Sequence, residues 1–232
     1  MDFSQRSYQP ELLDGDNISQ EDIHRNMQEL NTINSWLGGH AITLSGFRKL
    51  LPHSNSSAIH ICEIGCGGGD NLLTIQKWCQ QQGVDLFITG IDSNPYCIEV
   101  ASQTLPAQNS QLIVSDYRNI QFPQKPDIIF SSLFCHHFSD KELVKQLQWM
   151  KMNARTGFFI NDLHRHKIAY HSIKYITALF SNSHLVKNDA PLSVARSFSK
   201  KDWQKLLHNA GITNFSLHWK WAFRWLITVP SI

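Results

Sequence analysis

The sequence predicts an α/β fold, a doubly wound and mostly parallel sheet with helices on both faces. Three observations carry this. After Ser57, short apolar runs alternate with helical stretches of ten or more residues, a glycine-rich turn follows the first of those runs, and the chain closes on two β-rich stretches that almost touch in sequence. Strands joined by long helical crossovers run parallel, whereas a return of one or two residues permits only an antiparallel pair.

Residues 18–51 carry a helical pattern. Ser19 is placed to cap the first helix, with Glu21 and Asp22 in its first turn. Ile23, Met27, Leu30, Ile33 and Leu37 recur three and four apart, giving one apolar stripe, and Gly38-Gly39 ends it. A second helix is expected over 41–51, with Leu44, Phe47 and Leu51 on one face, and Pro52 with the Ser-Asn-Ser-Ser run stops it. Residues 1–56 are therefore read as a helical cap and 57–232 as the main domain. The cap either packs as ordinary core or covers a site. The strands follow at 58–64, 86–91, 111–114, 126–133 and 157–160, with helices at 70–82, 95–103, 140–150, 167–180 and 200–209. The closing pair covers 214–221 and 223–229.

Composition bounds the function. The chain has 232 residues, 42% hydrophobic and 17% charged, with a formal net charge of +2. Lys and Arg form no run, so the basic footprint of a nucleic-acid binder is missing. No apolar run reaches the ~18 residues that span a bilayer. The polar, acidic start reads as neither signal nor transit peptide, which points to the cytoplasm. Five cysteines without a CxxC pair argue for reduced, buried thiols.

The chemistry concentrates in the turn after the first strand, where open α/β sheets bind ligands. Residues 62–69 read Cys-Glu-Ile-Gly-Cys-Gly-Gly-Gly. Gly65, Gly67 and Gly69 let the backbone approach a ligand, beside the N-terminus of the next helix. A dinucleotide site uses G-x-G-x-x-G; here Asp70 takes the sixth place. Glu63 sets a carboxylate at the turn, which repels a pyrophosphate and suits an ammonium and a sulfonium. Asp92 closes the second strand, where a carboxylate can accept ribose hydroxyls. Asp116 follows the third, with Tyr117 beside it as a cover for an adenine ring. An NAD(P)-dependent oxidoreductase is thereby disfavoured, and a relative that binds the same cofactor without catalysis stays possible.

With Glu63 and its glycine turn, Gly90-Ile-Asp-Ser-Asn-Pro95, Ser115-Asp116 and Phe130-Ser-Ser-Leu-Phe-Cys-His-His137, the chain resembles class I S-adenosylmethionine-dependent methyltransferases of the small-molecule type, near the ubiquinone and menaquinone enzymes. The resemblance covers residues 58–229. It implies a seven-stranded sheet with an antiparallel C-terminal strand, a Rossmann-like form of the fold. It implies that the turn, with Glu63 and Cys66, holds the methionyl part of S-adenosyl-L-methionine. Asp92 with Ser93 would hold the ribose, Asp116 with Tyr117 the adenine, and Ser132 would border the cofactor.

The acceptor is narrowed by exclusion. No Asn/Asp-Pro-Pro-Tyr follows the fourth strand, Cys135 lacks an adjacent proline, and the acids of a catechol-type metal site are missing, so no metal is expected. A proton acceptor is sought among His136, His137, Asp162 and His164. Ile168, Tyr170, Ile173, Tyr175, Ile176 and Phe180, with Trp36 from the cap, are expected to line an aromatic or apolar pocket. Residues 218–225 interleave aromatics with cations. They are read as strands with Trp turned to the core and Lys or Arg outward, peripheral membrane contact staying open. The reading is methyl transfer to oxygen or carbon of a small aromatic or polyketide/quinone-like acceptor, by a monomer or homodimer.

Overall fold

The computed structural model describes residues 2–15, 18–51 and 58–231. Pro52 and the serine-rich run, expected to end the cap, lie outside the described residues, as does the expected boundary at 56/57. Seven strands form one sheet: β1 (Ile59–Ile64), β2 (Leu86–Asp92), β3 (Ser110–Val114), β4 (Ile128–Ser132), β5 (Gly157–Leu163), β6 (Ser216–Lys220) and β7 (Arg224–Pro230). Their order is β3-β2-β1-β4-β5-β7-β6. The first five are mutually parallel and β7 runs antiparallel to both β5 and β6. The order reverses at β1, so the crevice beyond the carboxyl ends of β1 and β4 is where this topology opens a ligand site.

The helices are α1 (Gln20–Trp36), α2 (Gly39–Lys49), α3 (Asp70–Gln82), α4 (Pro95–Thr104), α5 (Asp140–Asn153), α6 (Lys167–Phe180), α7 (His184–Arg196) and α8 (Lys200–Asn209). Local chemistry sets their ends. Ser19 accepts from the Asp22 amide, Asn94 from Tyr96, and Ser139 with Glu142 closes a capping box ahead of α5. Alternation along each strand divides the core. Cys62, Ile64, Phe158 and Trp225 face α5 and α8, while Ile61, Phe130, Phe159 and Leu226 face α2 and α3. α7 is an element that the sequence pattern does not announce. Pro191 sits inside it, and its apolar residues form no clean stripe.

Two expectations need correction. In the last hairpin only part of the expectation holds: Trp225 is in the core, but the cation beside it is not turned outward. Arg224 is buried at 2% exposure, whereas Trp219 and Trp221 are exposed at 48% and 73%. The cause is position in the sheet: β7 lies between β5 and β6 and is covered on both faces, so Arg224 and Trp225 are both buried, whereas Trp219 sits on the edge strand β6. The aromatic pocket wall is not built as expected either. Trp36, Ile168, Tyr175 and Phe180 are exposed, because α6 turns only its Ala169, Ser172, Ile173 and Ile176 face inward. Among the described residues no helix is long and apolar enough to cross a membrane.

Candidate active site

A cavity of about 1210 Å³ opens over the carboxyl ends of β1, β2 and β4. Its floor is the turn after β1, and α1, α6 and α7 wall it. Gly65 has φ +67, and a Cβ there would collide with the Phe134 ring, so only glycine lets the turn and the β4–α5 loop come together. Gly69 heads α3 at φ +78; it packs toward Ala101 and Leu105 instead of lining the cavity.

Glu63 ends β1 at 1% exposure. Its Oε1 accepts from Asn71 Nδ2 at 3.2 Å, and its Oε2 has no partner among the described residues. Burial, reinforced by the nearby Asp70 charge, pushes its carboxyl well above the usual range. A buried carboxylate with an empty lone pair calls for a cationic ligand. Asp92 accepts from the Gly67 amide at 3.0 Å through Oδ2 and from the Asn94 amide at 2.9 Å through Oδ1. It therefore ties the second strand to the glycine turn. Burial raises its carboxyl, and those amides offset part of the rise. Cys66, Ser93 and Ser132 also border the cavity, with burial holding the Cys66 thiol protonated.

Beyond β4 the chain turns through Leu133, a non-glycine at φ 53, into His136 and His137, both on the cavity wall. His136 Nδ1 lies 2.9 Å from Asp162 Oδ1. Asp162 is fully buried behind the ring, and its carboxylate also accepts from the amides of Cys135 at 2.8 Å and Leu163 at 2.7 Å. Burial alone would raise that carboxyl; the His136 charge and hydrogen bond and the Leu163 amide outweigh it and hold it below the ordinary range. With an ionised carboxylate at Nδ1, that edge of the ring donates, which leaves Nε2 as the accepting edge.

Glu11, from the N-terminal segment, meets that second edge. Its oxygens lie 3.8 Å from His136 Nε2 and 3.9 Å from His137 Nε2. These three residues bring their ligand atoms within 4.8 Å of one another, an arrangement that could hold a metal. Yet Glu11 also accepts from Ser193 Oγ at 2.9 Å and lies 3.8 Å from Arg196 Nε, so its charge is met by a guanidinium that repels a metal cation. Arg196 donates to the His136 and His137 carbonyls as well. Arg6 joins the N-terminal segment to Asp140 and the Phe138 carbonyl. Nothing in the pattern around Glu11, Arg6 or Arg196 marks them in the sequence, because fold contacts across well over a hundred residues bring Glu11 and Arg6 to the histidine loop.

Besides Gly69, three expected site residues stand elsewhere. Asp116 does not reach the cavity, since its carboxylate accepts from the Arg118 amide and guanidinium, whose hydrogen bonds hold it below the usual range. Tyr117 is 5% exposed and packs edge-on against Phe134, Phe138 and Trp149. His164 lies outside the cavity, bonded by Trp219 Nε1 at 3.2 Å, and burial lowers its imidazole to about 4. It lies beyond Leu163, the last residue of β5, where the chain leaves the cavity wall.

Comparisons with known proteins bear on the domain and its fold. The family described as Methyltransferase domain matches residues 61–157. Trans-aconitate 2-methyltransferases from Escherichia coli (strain SE11) and Shigella dysenteriae serotype 1 are 35% identical over 74 residues. That match covers 32% of this chain, which spans 27% of those relatives' length. Among solved structures, the plantazolicin methyltransferase BpumL in complex with SAH superposes with a TM-score of 0.67 at 14% identity, covering 90% of both chains. Human N-acetylserotonin methyltransferase in complex with SAM gives 0.62 at 15% identity, over 92% of this chain and 56% of that one. Magnesium protoporphyrin IX methyltransferase from Synechocystis, with bound SAH, gives 0.53 at 16% identity, over 94% and 90%. At these identities the likeness is one of fold.

Proposed function

We propose that the chain is a class I S-adenosylmethionine-dependent methyltransferase, on the match of residues 61–157 to a methyltransferase domain, and that it transfers a methyl group to a small, proton-bearing acceptor. The acceptor atom is an oxygen, or an acidic carbon, of an aromatic or polyketide/quinone-like molecule. The observation that carries this is His136, held at Nδ1 by buried Asp162 with its other edge on the cavity. The apolar wall of Met27, Leu30, Ile33, Ile173 and Ile176, with Phe134 and Phe138, suits the body of such an acceptor.

The bound cofactor supplies an electrophilic methyl group. Glu63 would receive its ammonium at the orphaned Oε2, the turn at Gly65–Gly67 would hold its methionyl part, and Asp92 and Ser93 would hold its ribose. Asp116 and Tyr117 enter this reading only through a rearrangement that frees Asp116 from Arg118. His136 Nε2 would take the acceptor's proton, freeing its oxygen for the methyl group that the cofactor would give up from sulfur, with S-adenosylhomocysteine left behind. The resulting imidazolium lies between the carboxylates of Asp162 and Glu11. α1, α6 and α7 exclude water from the reacting atoms.

The test is transfer of label from methyl-tritiated cofactor to a panel of phenols and hydroquinones, with His136→Ala alongside. We expect labelled ether or ring-methylated product and a loss on the order of 10²–10⁴ in kcat in the variant. Undiminished turnover by His136→Ala, or transfer to carboxylates alone, would refute the proton-relay reading. NADH binding in place of S-adenosylhomocysteine would refute the cofactor.

A further inference from the structure

One buried cation in the cavity wall belongs neither to the proton relay nor to the glycine turn. Arg224 is the first residue of β7, and because β7 is antiparallel, that residue lies at the edge where the parallel strands end. Two positions on, Leu226 faces α2 and α3, so Arg224 shares that face. It is 2% exposed and lines the cavity, yet its Nε and Nη1 have no hydrogen-bond partner among the described residues. Asp162 and Asp70 act on it through space, and burial pulls its guanidinium down to about 10. A buried guanidinium with unfilled donors is rare, and it marks either a strained core or a place kept for an anion.

The surroundings favour the anion. Arg224 abuts the start of α2: a methyl group added at Gly39 would collide with Asn34 Oδ1 and stand 3.0 Å from Arg224 Nη1. α2 begins on Gly38 without a side-chain cap and without an acid in its first turn. Its N-terminal partial charge is thus left uncompensated by any carboxylate of its own. On the same face, Ser132 pairs with Asn161 across β4 and β5, two positions short of Leu163, the partner of Arg224, while Glu63 pairs with Phe130, further back along the strands. Asn161 Nδ2 donates to the Gly39 carbonyl, Thr43 Oγ1 and Ser132 Oγ. This face therefore carries an orphaned carboxylate oxygen on β1 and an orphaned guanidinium on β7. Three strand spacings and the four positions from Arg224 to Thr228, the residue in line with Glu63, set their backbones ~20 Å apart, and the two side chains lean toward common ground, since the Asp70 charge acts on both.

We propose that Arg224 is the carboxylate-receiving group of this cavity, using its forked donors to bind one carboxylate of a ligand. The proposal rests on the reading of the cavity as a methyl-donor site. Two carboxylates fit this chemistry: the one at the amino-acid end of the cofactor, whose ammonium faces Glu63, and one on the acceptor. Either leaves Glu63 and Arg224 each with a partner of opposite charge.

Calorimetric titration of the full chain separates the two. Wild type, Arg224→Met and Arg224→Lys are titrated with S-adenosylhomocysteine, with its carboxyl methyl ester, and then with citrate at saturating S-adenosylhomocysteine. If the cofactor's carboxylate is bound, wild type prefers acid over ester on the order of 10- to 100-fold. Arg224→Met then loses the preference and Arg224→Lys keeps part of it. If the acceptor's carboxylate is bound, acid and ester bind all three proteins alike while citrate binds wild type and not Arg224→Met. Either pattern supports the proposal. Equal behaviour of wild type and Arg224→Met toward all three probes overturns it. A wild type that ignores S-adenosylhomocysteine altogether overturns the parent reading with it, a distinct result. Arg224→Met removes an unsatisfied buried charge, so its unfolding midpoint without ligand is expected at or above wild type; if it fails to fold, Arg224→Lys carries the comparison.

Discussion

Asp162 at the end of β5 and Glu63 at the end of β1 are both carboxylates shut away from water, at 0% and 1% exposure, and they have opposite fates. Asp162 has donors on both oxygens, from Cys135, His136 and Leu163, and sits below its ordinary range. Glu63 has one donor and an empty oxygen, and sits well above it. The signs for stability are therefore opposed. Asp162 stabilises the fold at pH values above its unfolded pKa, and that contribution is lost as pH falls through the lower folded value. Glu63 binds its proton more tightly folded than unfolded, so stability declines as pH rises from the ordinary carboxyl range toward the raised value. A buried charge that the protein satisfies belongs to the frame, and one that it leaves unsatisfied belongs to the ligand.

The harshest way to break this contrast is Asp162→Asn. An amide at that place donates toward His136 Nδ1 and turns the ring's accepting edge away from the cavity. We expect kcat to fall on the order of 10²–10⁴ with little change in cofactor affinity. Mismatched donors around the buried amide also cost about 1–3 kcal/mol of stability, read by denaturant unfolding. A folded variant with wild-type kcat would place Asp162 outside the relay.

Glu63→Gln sharpens the same contrast with a smaller effect. It removes a charge the ligand-free protein does not satisfy, so unfolding at neutral pH should become no easier, while affinity for S-adenosylhomocysteine falls on the order of 10- to 100-fold. The cation lowers the pKa of Glu63 on binding, so between its ordinary and raised values wild type should release a proton and bind more tightly as pH rises. Calorimetry in two buffers of different ionisation heat reads that proton, and Glu63→Gln should abolish it. Proton release that persists in the variant would show that another group carries the charge.

The legible half of the molecule is the half built from local signals. The strand-to-glycine turn at 59–69, the helix over 70–82, Asp92 at its strand end and the caps Ser19 and Asn94 are all set by residues within a few positions of each other. His136 was legible as a candidate, but its ranking over His137 and His164 was not, because that follows from which side chain Asp162 reaches across the sheet. Arg224 was hidden by a different cause. Strand alternation gives the face it shares with Lys220, but not that this face of β7 is covered, which depends on β7 lying inside the sheet under α2. Glu11 and Arg196 meet across 185 positions, and α7 hides behind its own proline.

His164→Ala should produce the smallest effect, and it separates the cavity from its rim. The imidazole lies off the cavity, and its Nδ1 accepts from Trp219 Nε1 at 3.2 Å. Burial, with His166 and Arg165 adding to it, lowers its pKa to about 4, so the folded protein keeps it neutral. In the unfolded chain it binds a proton near pH 6.5. Between those values the unfolded state holds more protons, so wild-type stability falls as pH drops from about 6.5 toward 4. The variant loses about 1 kcal/mol at neutral pH with the hydrogen bond, yet it should show a flatter acid limb, because the group that titrates is gone. Methyl transfer should be unaffected at neutral pH. A kcat loss comparable to that of Asp162→Asn would move the base to the far end of β5, and unchanged acid sensitivity would assign that limb to another buried group.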